Sequence, residues 1–147
     1  MKDQDPLRAF RALLDSIRVG VLCTLNEDGY PHCRWMTAAT LPRVQGCLFA
    51  VSTAGSPKVQ EIAGCDKVQW TFQTAHLDEI VSLRGRAMVL NNPGLKAEVL
   101  EALGPNLTNF WRVNPDPAKL VVIETVIENA RLFRPMERLN VQTEVQP

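Results

Sequence analysis

Three polar residues within seven positions have the types and the spacing to bind a phosphate group. They lie in Ser52-Thr-Ala-Gly-Ser56-Pro-Lys58, where Ser-Pro is typical of a helix start. A lysine in the first turn faces the positive end of the helix dipole, which costs about 0.3–1 kcal/mol unless an anion lies there. Two hydroxyls, free backbone N–H groups and the Lys58 ammonium would form a cradle for a mononucleotide phosphate. The alternative is that Ser56 only caps the helix and Lys58 is solvated.

Arg34 is a second basic residue in an unusual setting. It lies in His32-Cys-Arg-Trp-Met36, a strand-like segment of mostly apolar or aromatic character. A guanidinium group in such a strand is costly unless it is paired. If this strand runs beside Ser52 in a barrel, Arg34 and Lys58 converge on one phosphate. The alternative is a salt bridge between Arg34 and one of the 16 carboxylates.

The other reactive residue types do not form a catalytic or metal-binding pattern. The two histidines, His32 and His76, are far apart and do not have the spacing of metal ligands. The four cysteines lack a Cys-x-x-Cys pair, and we expect ordinary buried thiols; they are Cys23, Cys33, Cys47 and Cys65. No Ser-His-Asp order indicates a hydrolase. The sequence therefore predicts no metal site, and it leaves the catalytic residues unassigned.

Charge and hydropathy limit the classes of partner. The 147 residues carry 16 basic and 16 acidic side chains, so no large positive field is available to attract nucleic acid or an anionic membrane. The N-terminal residues lack the apolar run of a secretory signal, and no stretch approaches the roughly 18 apolar residues that span a bilayer. We therefore expect a cytoplasmic protein with neither nucleic acid nor membrane as partner.

Patterning along the chain predicts a β-rich domain that positions these residues. Six or seven β-segments with short turns and short helices favour a closed or nearly closed antiparallel barrel over a parallel α/β sheet. A single domain is expected over residues 1–147, with residues 106–116 irregular and a polar tail from about residue 136 left unassigned. The predicted strands are 19–25, 30–41, 47–53, 67–73, 79–90, 120–126 and 129–133, and the predicted helices are 7–17, 57–63 and 93–103.

The ordered set of segments resembles a known family. Over residues 7–134 the chain looks like the FMN-binding split barrels related to pyridoxamine 5'-phosphate oxidase. Trp111, followed by Asp116-Pro117, is similar to the general stress protein 26 branch in particular. The segments that carry the resemblance are Val21-Leu-Cys-Thr-Leu25, Gly29-Tyr-Pro-His-Cys-Arg34-Trp-Met36, Leu48-Phe49, Ser52, Ser56-Pro57-Lys58, Val68 to Phe72 and Val81-Ser-Leu-Arg-Gly-Arg-Ala87.

This resemblance implies a six-stranded antiparallel Greek-key split barrel that forms a homodimer, with FMN in each of two interface clefts. Arg34, Ser52, Ser56 and Lys58 would hold the phosphate, and the backbone from Arg34 to Thr37 would pass along the isoalloxazine ring. Gln73 or Trp111 would approach that ring from a neighbouring strand or from the partner subunit. The full set of implied FMN-binding residues is Arg34, Trp35, Met36, Thr37, Ser52, Thr53, Ser56, Lys58, Gln73 and Trp111.

The implied function is that of an FMN-dependent oxidoreductase that uses NAD(P)H or a small organic substrate. Flavin, haem or deazaflavin binding without turnover, in a stress response, is the alternative, and a barrel that binds nothing is a third. Pro57 stands where the oxidases carry a second basic residue, and their arginine-containing C-terminal segment is not found. We therefore expect pyridoxamine phosphate to be a poor substrate.

Overall fold

A computed structural model describes residues 4–104 and 116–145 of the chain. Two short 3-10 turns, Pro117–Lys119 and Pro135–Glu137, join the later elements. In chain order the helices and strands are α1 Pro6–Ser16, β1 Val19–Leu25, β2 Pro31–Thr37, β3 Ala39–Leu41, β4 Val44–Thr53, α2 Pro57–Gly64, β5 Lys67–Gln73, β6 Ile80–Leu90, α3 Pro93–Leu103, β7 Leu120–Arg134 and β8 Leu139–Glu144.

The strands form one curled antiparallel sheet in the order β2-β1-β5-β6-β7-β4-β3, and β8 pairs with the second half of β7. Strands β5, β6 and β7 are consecutive neighbours, and β4, which precedes them in the chain, lies beside β7. This is the Greek-key order. The predicted mainly β split-barrel fold is confirmed. The predicted number of six strands is wrong, because the described part of the chain contains eight.

The concave side of the sheet encloses the main apolar core. Trp70 and Phe72 of β5 are fully buried there, and the Phe72 ring contacts the ring of Phe10 at 5.4 Å between centroids. Phe10 belongs to α1, whose first turn is capped by an Asp5 carboxylate that accepts from the Leu7 N–H at 2.9 Å. A second cluster, with Phe49 and Val99 at its centre, joins β4 to α3. Helix α1 therefore closes the barrel, while α3 covers the outside of β4.

The strand predicted over residues 30–41 is two strands. β2 ends at Thr37, and β3 begins at Ala39 on the far side of the sheet order. Between them, the buried Ala38 donates its N–H to the Arg18 carbonyl at 2.9 Å. The break is invisible in the sequence because the apolar character continues through it.

The two last predicted strands, 120–126 and 129–133, are one 15-residue strand with a bulge. Arg84 pairs with Asn129 and Gly85 pairs with Ile127, so Glu128 is an extra residue without a partner in β6. The bulge shifts the alternation of buried residues by one, and this shift looks like a strand end in the sequence. A Cβ on Gly85 would lie 2.1 Å from the Val126 carbonyl oxygen, so this close approach requires glycine.

The C-terminal segment left unassigned in the sequence forms β8. Its residues pair with β7 from Arg134↔Leu139 to Asn129↔Glu144, and Leu139 and Val141 pack against the main core. Two apolar residues among polar ones are enough to bind this strand once a partner edge is available. In residues 4–104 and 116–145, no helix has both the length and the apolar character required to cross a membrane.

Candidate functional site

The Ser52 to Lys58 segment forms a compact polar cluster at the end of β4. Ser52 is 3% exposed and lies on the concave side of the sheet with Leu48 and Ala50. Its hydroxyl lies 3.0 Å from the Ser56 hydroxyl and accepts a hydrogen bond from the Lys58 ammonium at 2.9 Å. The three residues named from the sequence therefore meet in one place, which we call the cradle.

The start of α2 is open toward the cradle. Ser56 occupies the N-cap position, but its hydroxyl makes no capping hydrogen bond to the helix and contacts Ser52 instead. Pro57 has no N–H, and Val59 donates to the Ser56 carbonyl at 3.1 Å. The capping contact expected of Ser56 is thus not made. The N-terminal end of the helix is left available to an anion.

Arg34 of β2 lies on the same concave face, close enough to the cradle for its charge to act on Lys58. One terminal nitrogen donates to the Leu22 carbonyl at 3.1 Å and to the Thr24 hydroxyl at 2.8 Å, and the other donates to Glu61 at 3.1 Å. A guanidinium group has five N–H donors, and these three bonds leave two for a ligand. The alternative from the sequence, a salt bridge, is therefore also present.

Glu61 is a residue of this site that the sequence reasoning missed. Its side chain is 11% exposed and accepts hydrogen bonds from Thr24 at 3.0 Å and from Arg34 at 3.1 Å. The Nδ1 atom of His32 lies 3.0 Å from the same carboxylate. Glu61 follows Lys58 by three residues on α2, which places both on one side of the helix. That spacing was the available signal.

The charges of the cradle leave room for an anion. Burial lowers the pKa of Lys58, the nearby Arg34 charge lowers it further, and Glu61 raises it. Two cations therefore face one carboxylate in a partly desolvated position. A bound anion with two charges would relieve the repulsion between the cations. The donors that remain on Lys58, Arg34 and α2 are those that a phosphate group requires.

Glu61 makes the stability of this region dependent on acid pH. Burial raises its pKa, but hydrogen bonds from His32 and Thr24 and the charges of His32 and Arg34 outweigh that effect, so the pKa is lowered overall. A lowered pKa gives stability that is complete above the ordinary value of 4.5 and is lost as the pH falls through the lowered value. Glu61→Gln is therefore expected to lower the unfolding temperature at pH 7, and the difference from wild type should shrink below pH 4.5.

Thermal unfolding between pH 3 and pH 7 tests this expectation. Glu98→Gln is the matched control, because Glu98 also pairs with an arginine, Arg43, but at an exposed position. Its effect on the unfolding temperature should be smaller, since solvent screens the pair. A constant difference between Glu61→Gln and wild type over the whole pH range would contradict the assignment.

The residues expected along the flavin ring do not lie on one face of the sheet. Trp35 is 66% exposed and lies on the face of β2 opposite Arg34, and Met36 packs against the main core. Thr37 pairs with Val19 at the end of β2. The Thr53 side chain points away from Ser52 along β4, and its carbonyl accepts from the Ser56 N–H at 3.1 Å.

Gln73 is not brought to the cradle within one chain. It pairs with Ile80 at the end of β5. Its side chain lies on the convex face together with that of Thr71. Thr71 is opposite Val21 of β1, which in turn is opposite Trp35 of β2. The contact of Gln73 with a flavin stays a prediction that depends on the partner subunit. Trp111 lies outside the described residues. Within residues 4–104 and 116–145, no three His, Cys, Asp or Glu side chains are grouped to hold a metal ion.

Solved structures show the same fold. A protein from Clostridium acetobutylicum, related to general stress protein 26 of the pyridoxinephosphate oxidase family, matches with a TM-score of 0.78 and 14% identity, over 98% of this chain and 97% of that chain. A pyridoxamine 5'-phosphate oxidase-related FMN-binding protein from Nostoc punctiforme matches with a TM-score of 0.68 and 12% identity, over 100% of both chains. A haem-binding protein from Mycobacterium smegmatis matches with a TM-score of 0.75 and 18% identity, over 98% of this chain and 60% of that chain.

Comparison at the level of sequence families gives the same assignment. No curated protein matches the chain. The family model for pyridoxamine 5'-phosphate oxidase matches residues 7–134, which run from the second residue of α1 to the end of β7 and include the whole cradle. The chain therefore belongs to the pyridoxamine 5'-phosphate oxidase family.

Proposed function

We propose that the protein binds FMN and works as an oxidoreductase that exchanges electrons with NAD(P)H or a small organic substrate. The observation that carries the proposal is the cradle, where Lys58 lies in the first turn of α2 and Arg34, held by Glu61 of the same helix, keeps two N–H donors unused. Membership of the family supports it. The similar Nostoc punctiforme protein is described as FMN-binding.

Each residue of the cradle and of the Arg34 cluster beside it has a definite part in this proposal. Lys58 and Arg34 neutralise the phosphate, while Ser52 and Ser56 donate hydroxyl hydrogen bonds to its oxygens. Glu61 and Thr24 hold the guanidinium group of Arg34 in position. When bound, FMN supplies the redox chemistry, so the protein needs only to bind it, orient it and control access to it. This agrees with a sequence in which no catalytic acid or base was assigned.

The absorbance spectrum of the purified protein tests the proposal. We expect a flavin spectrum after incubation with FMN, and stopped-flow bleaching of the flavin by NADH or NADPH. Pyridoxamine phosphate should reduce it poorly. Tight flavin binding without bleaching by either nicotinamide would favour a carrier or sensor of flavin. A haem spectrum, or no chromophore at saturating FMN, would overturn the proposal.

We also propose that the protein is a cytoplasmic homodimer. The β5–β6 and β7–β8 turns lie at the same end of the sheet, because Ile80 pairs with Phe133. Three exposed apolar side chains at this end form an apolar patch: Leu77, Phe133 and Met136. Gln73 lies at the same end through its pairing with Ile80. A partner subunit that covers this end would bury the apolar patch and bring Gln73 into the interface.

Sedimentation should give twice the chain mass of 16.4 kDa at micromolar concentration. We expect a buried area above roughly 2,000 Å², as in obligate dimers. Met136→Glu should shift the equilibrium toward monomer, because it places a charge in the apolar patch. A wild-type monomer at micromolar concentration would contradict the dimer.

A further inference from the structure

Two cysteines face each other across the β1–β2 pair. Cys23 and Cys33 are directly opposite in register, and their sulfur atoms are 2.8 Å apart. Both are free thiols, with Cys33 exposed and Cys23 half-buried. The sequence predicted ordinary buried thiols at these positions, which the exposure of Cys33 contradicts. The two are ten positions apart along the chain, so only the folded hairpin brings them together.

The backbone at this position suits a disulfide bond. Pro31, which lacks an N–H, is opposite Leu25, so Leu25↔Pro31 is a pair without hydrogen bonds. Cys23↔Cys33 lies two residues further along and is of the same type. Directly opposite Cα atoms in such pairs are about 4.5 Å apart, within the range of roughly 4.4–6.8 Å found for disulfides. Bond formation therefore requires only small side-chain rotations.

The other two cysteines do not compete for these thiols. Cys47 is buried on β4, which is four strands from β1 in the sheet order, and its sulfur contacts Glu124 at 3.6 Å. Four strand spacings amount to roughly 19 Å measured along the sheet. Cys65 lies at the C-cap of α2, and within residues 4–104 and 116–145 its sulfur makes no hydrogen bond to either thiol of the pair. Among the four cysteines of the chain, Cys23 and Cys33 are therefore the pair in contact.

We propose that Cys23 and Cys33 form a reversible intramolecular disulfide, which makes the β1–β2 edge a site of redox modification. The oxidant is a low-molecular-weight disulfide such as oxidised glutathione. The Cys33 thiolate attacks the oxidant, whose S–S bond breaks and releases one thiol. The Cys23 sulfur then loses its proton, attacks the mixed disulfide and releases the second thiol. Two protein thiols are oxidised, and one small disulfide is reduced to two thiols.

The two sulfurs differ in a way that fits this order of events. Burial raises the pKa of Cys23 to about 11, with further contributions from the hydrogen bond and charge of Cys33, while Arg34 lowers it. Cys23 is therefore a thiol at neutral pH, and the exposed Cys33 meets the oxidant first. A surface cavity of about 580 Å³ that includes Cys23, Lys67 and Arg84 gives a small disulfide room beside the pair.

The crosslink would act on the residues that hold Arg34. Leu22 and Thr24, which flank Cys23, accept hydrogen bonds from the Arg34 side chain, and Arg34 directly follows Cys33. A disulfide at this point ties together the two strand segments that position the guanidinium group. The disulfide can be tested on the protein without any cofactor, because the measurements are thiol content and thermal stability.

The test uses the reduced full-length protein incubated with oxidised glutathione. Titration of the unfolded chain with a thiol reagent should give four thiols before treatment and two after it. The mass should fall by about 2 Da, and non-reducing peptide mapping should recover a Cys23–Cys33 link. The unfolding temperature should rise by several degrees and return to its first value after dithiothreitol.

Cys65→Ser is the matched control and should give the same mass loss and the same rise in unfolding temperature. Cys33→Ser and Cys23→Ser should each abolish both changes. Four remaining thiols after treatment would overturn the proposal. So would glutathione adducts that never resolve to the internal bond, or disulfide links found only between chains.

Discussion

Lys58→Ala is expected to reduce the affinity for FMN by ten- to a hundredfold and to leave the affinity for riboflavin nearly unchanged. The Lys58 ammonium is half-buried and donates to Ser52 at 2.9 Å, so it lies within the cradle. Removal of one charge-assisted hydrogen bond to a phosphate costs about 1.5–3 kcal/mol. Riboflavin lacks the phosphate and would not use this residue. Fluorescence titration of both ligands measures the two effects.

Two further variants sharpen this comparison. Lys67→Ala removes an exposed lysine on β5, outside the cradle, and should leave both affinities unchanged. Arg34→Ala should also weaken FMN selectively, although the loss of the pair with Glu61 will lower stability as well. Equal losses of FMN and riboflavin with Lys58→Ala would mean damage to the fold or to the ring site. The phosphate assignment would then be abandoned.

Gly85→Ala is expected to destabilise the fold by about 3 kcal/mol or more, which corresponds to a fall of roughly 10 °C in unfolding temperature. The added Cβ would lie 2.1 Å from the Val126 carbonyl oxygen and 2.9 Å from its carbon. Both atoms are backbone, so side-chain rotation cannot relieve the contact. The bulge between β6 and β7 would have to open, and these two strands form the longest pairing in the sheet. Thermal or urea unfolding measures the loss.

Gly64→Ala is the control for this substitution. Gly64 lies at the end of α2, and a Cβ there would meet no atom within 4 Å. Its replacement should change stability by no more than about 1 kcal/mol, with a small gain expected from the lower entropy of the unfolded chain. Similar unfolding temperatures for the two variants would show that the bulge tolerates a side chain.

The sequence was sufficient where local patterns coincide with tertiary contacts. The Asp5-Pro6 start of α1 and the alternation of Val68, Trp70 and Phe72 predicted elements that the structure confirms within one residue. It was insufficient where pairing decides the outcome. β8 depends on an edge of β7, and the bulge at Glu128 depends on Gly85, more than 40 positions earlier in the chain. Neither the β7–β8 pairing nor the bulge can be recognised from the residues next to it in the sequence.

The candidate site likewise contains contacts that could be predicted from the sequence and contacts that could not. Ser52, Ser56 and Lys58 lie within one short segment, so their convergence was predictable from chain geometry. The contact between Arg34 and Glu61 spans 27 positions and depends on how α2 packs against β1 and β2. Placement of Gln73 requires knowledge of which face of β5 is convex, and its position relative to a flavin requires a second subunit.

Glu61, the carboxylate that pairs with Arg34 beside the cradle, affects how an anion would bind there. Arg34 is held by Leu22, Thr24 and Glu61 within the protein itself, so its long side chain is ordered by folding. A phosphate that enters the cradle therefore meets a preorganised guanidinium group and does not bear the entropic cost of immobilising it. It must, however, share that group with a fixed negative charge. Affinity at this site would then depend on how one guanidinium group divides its donors between two anions, one of them covalently part of the chain.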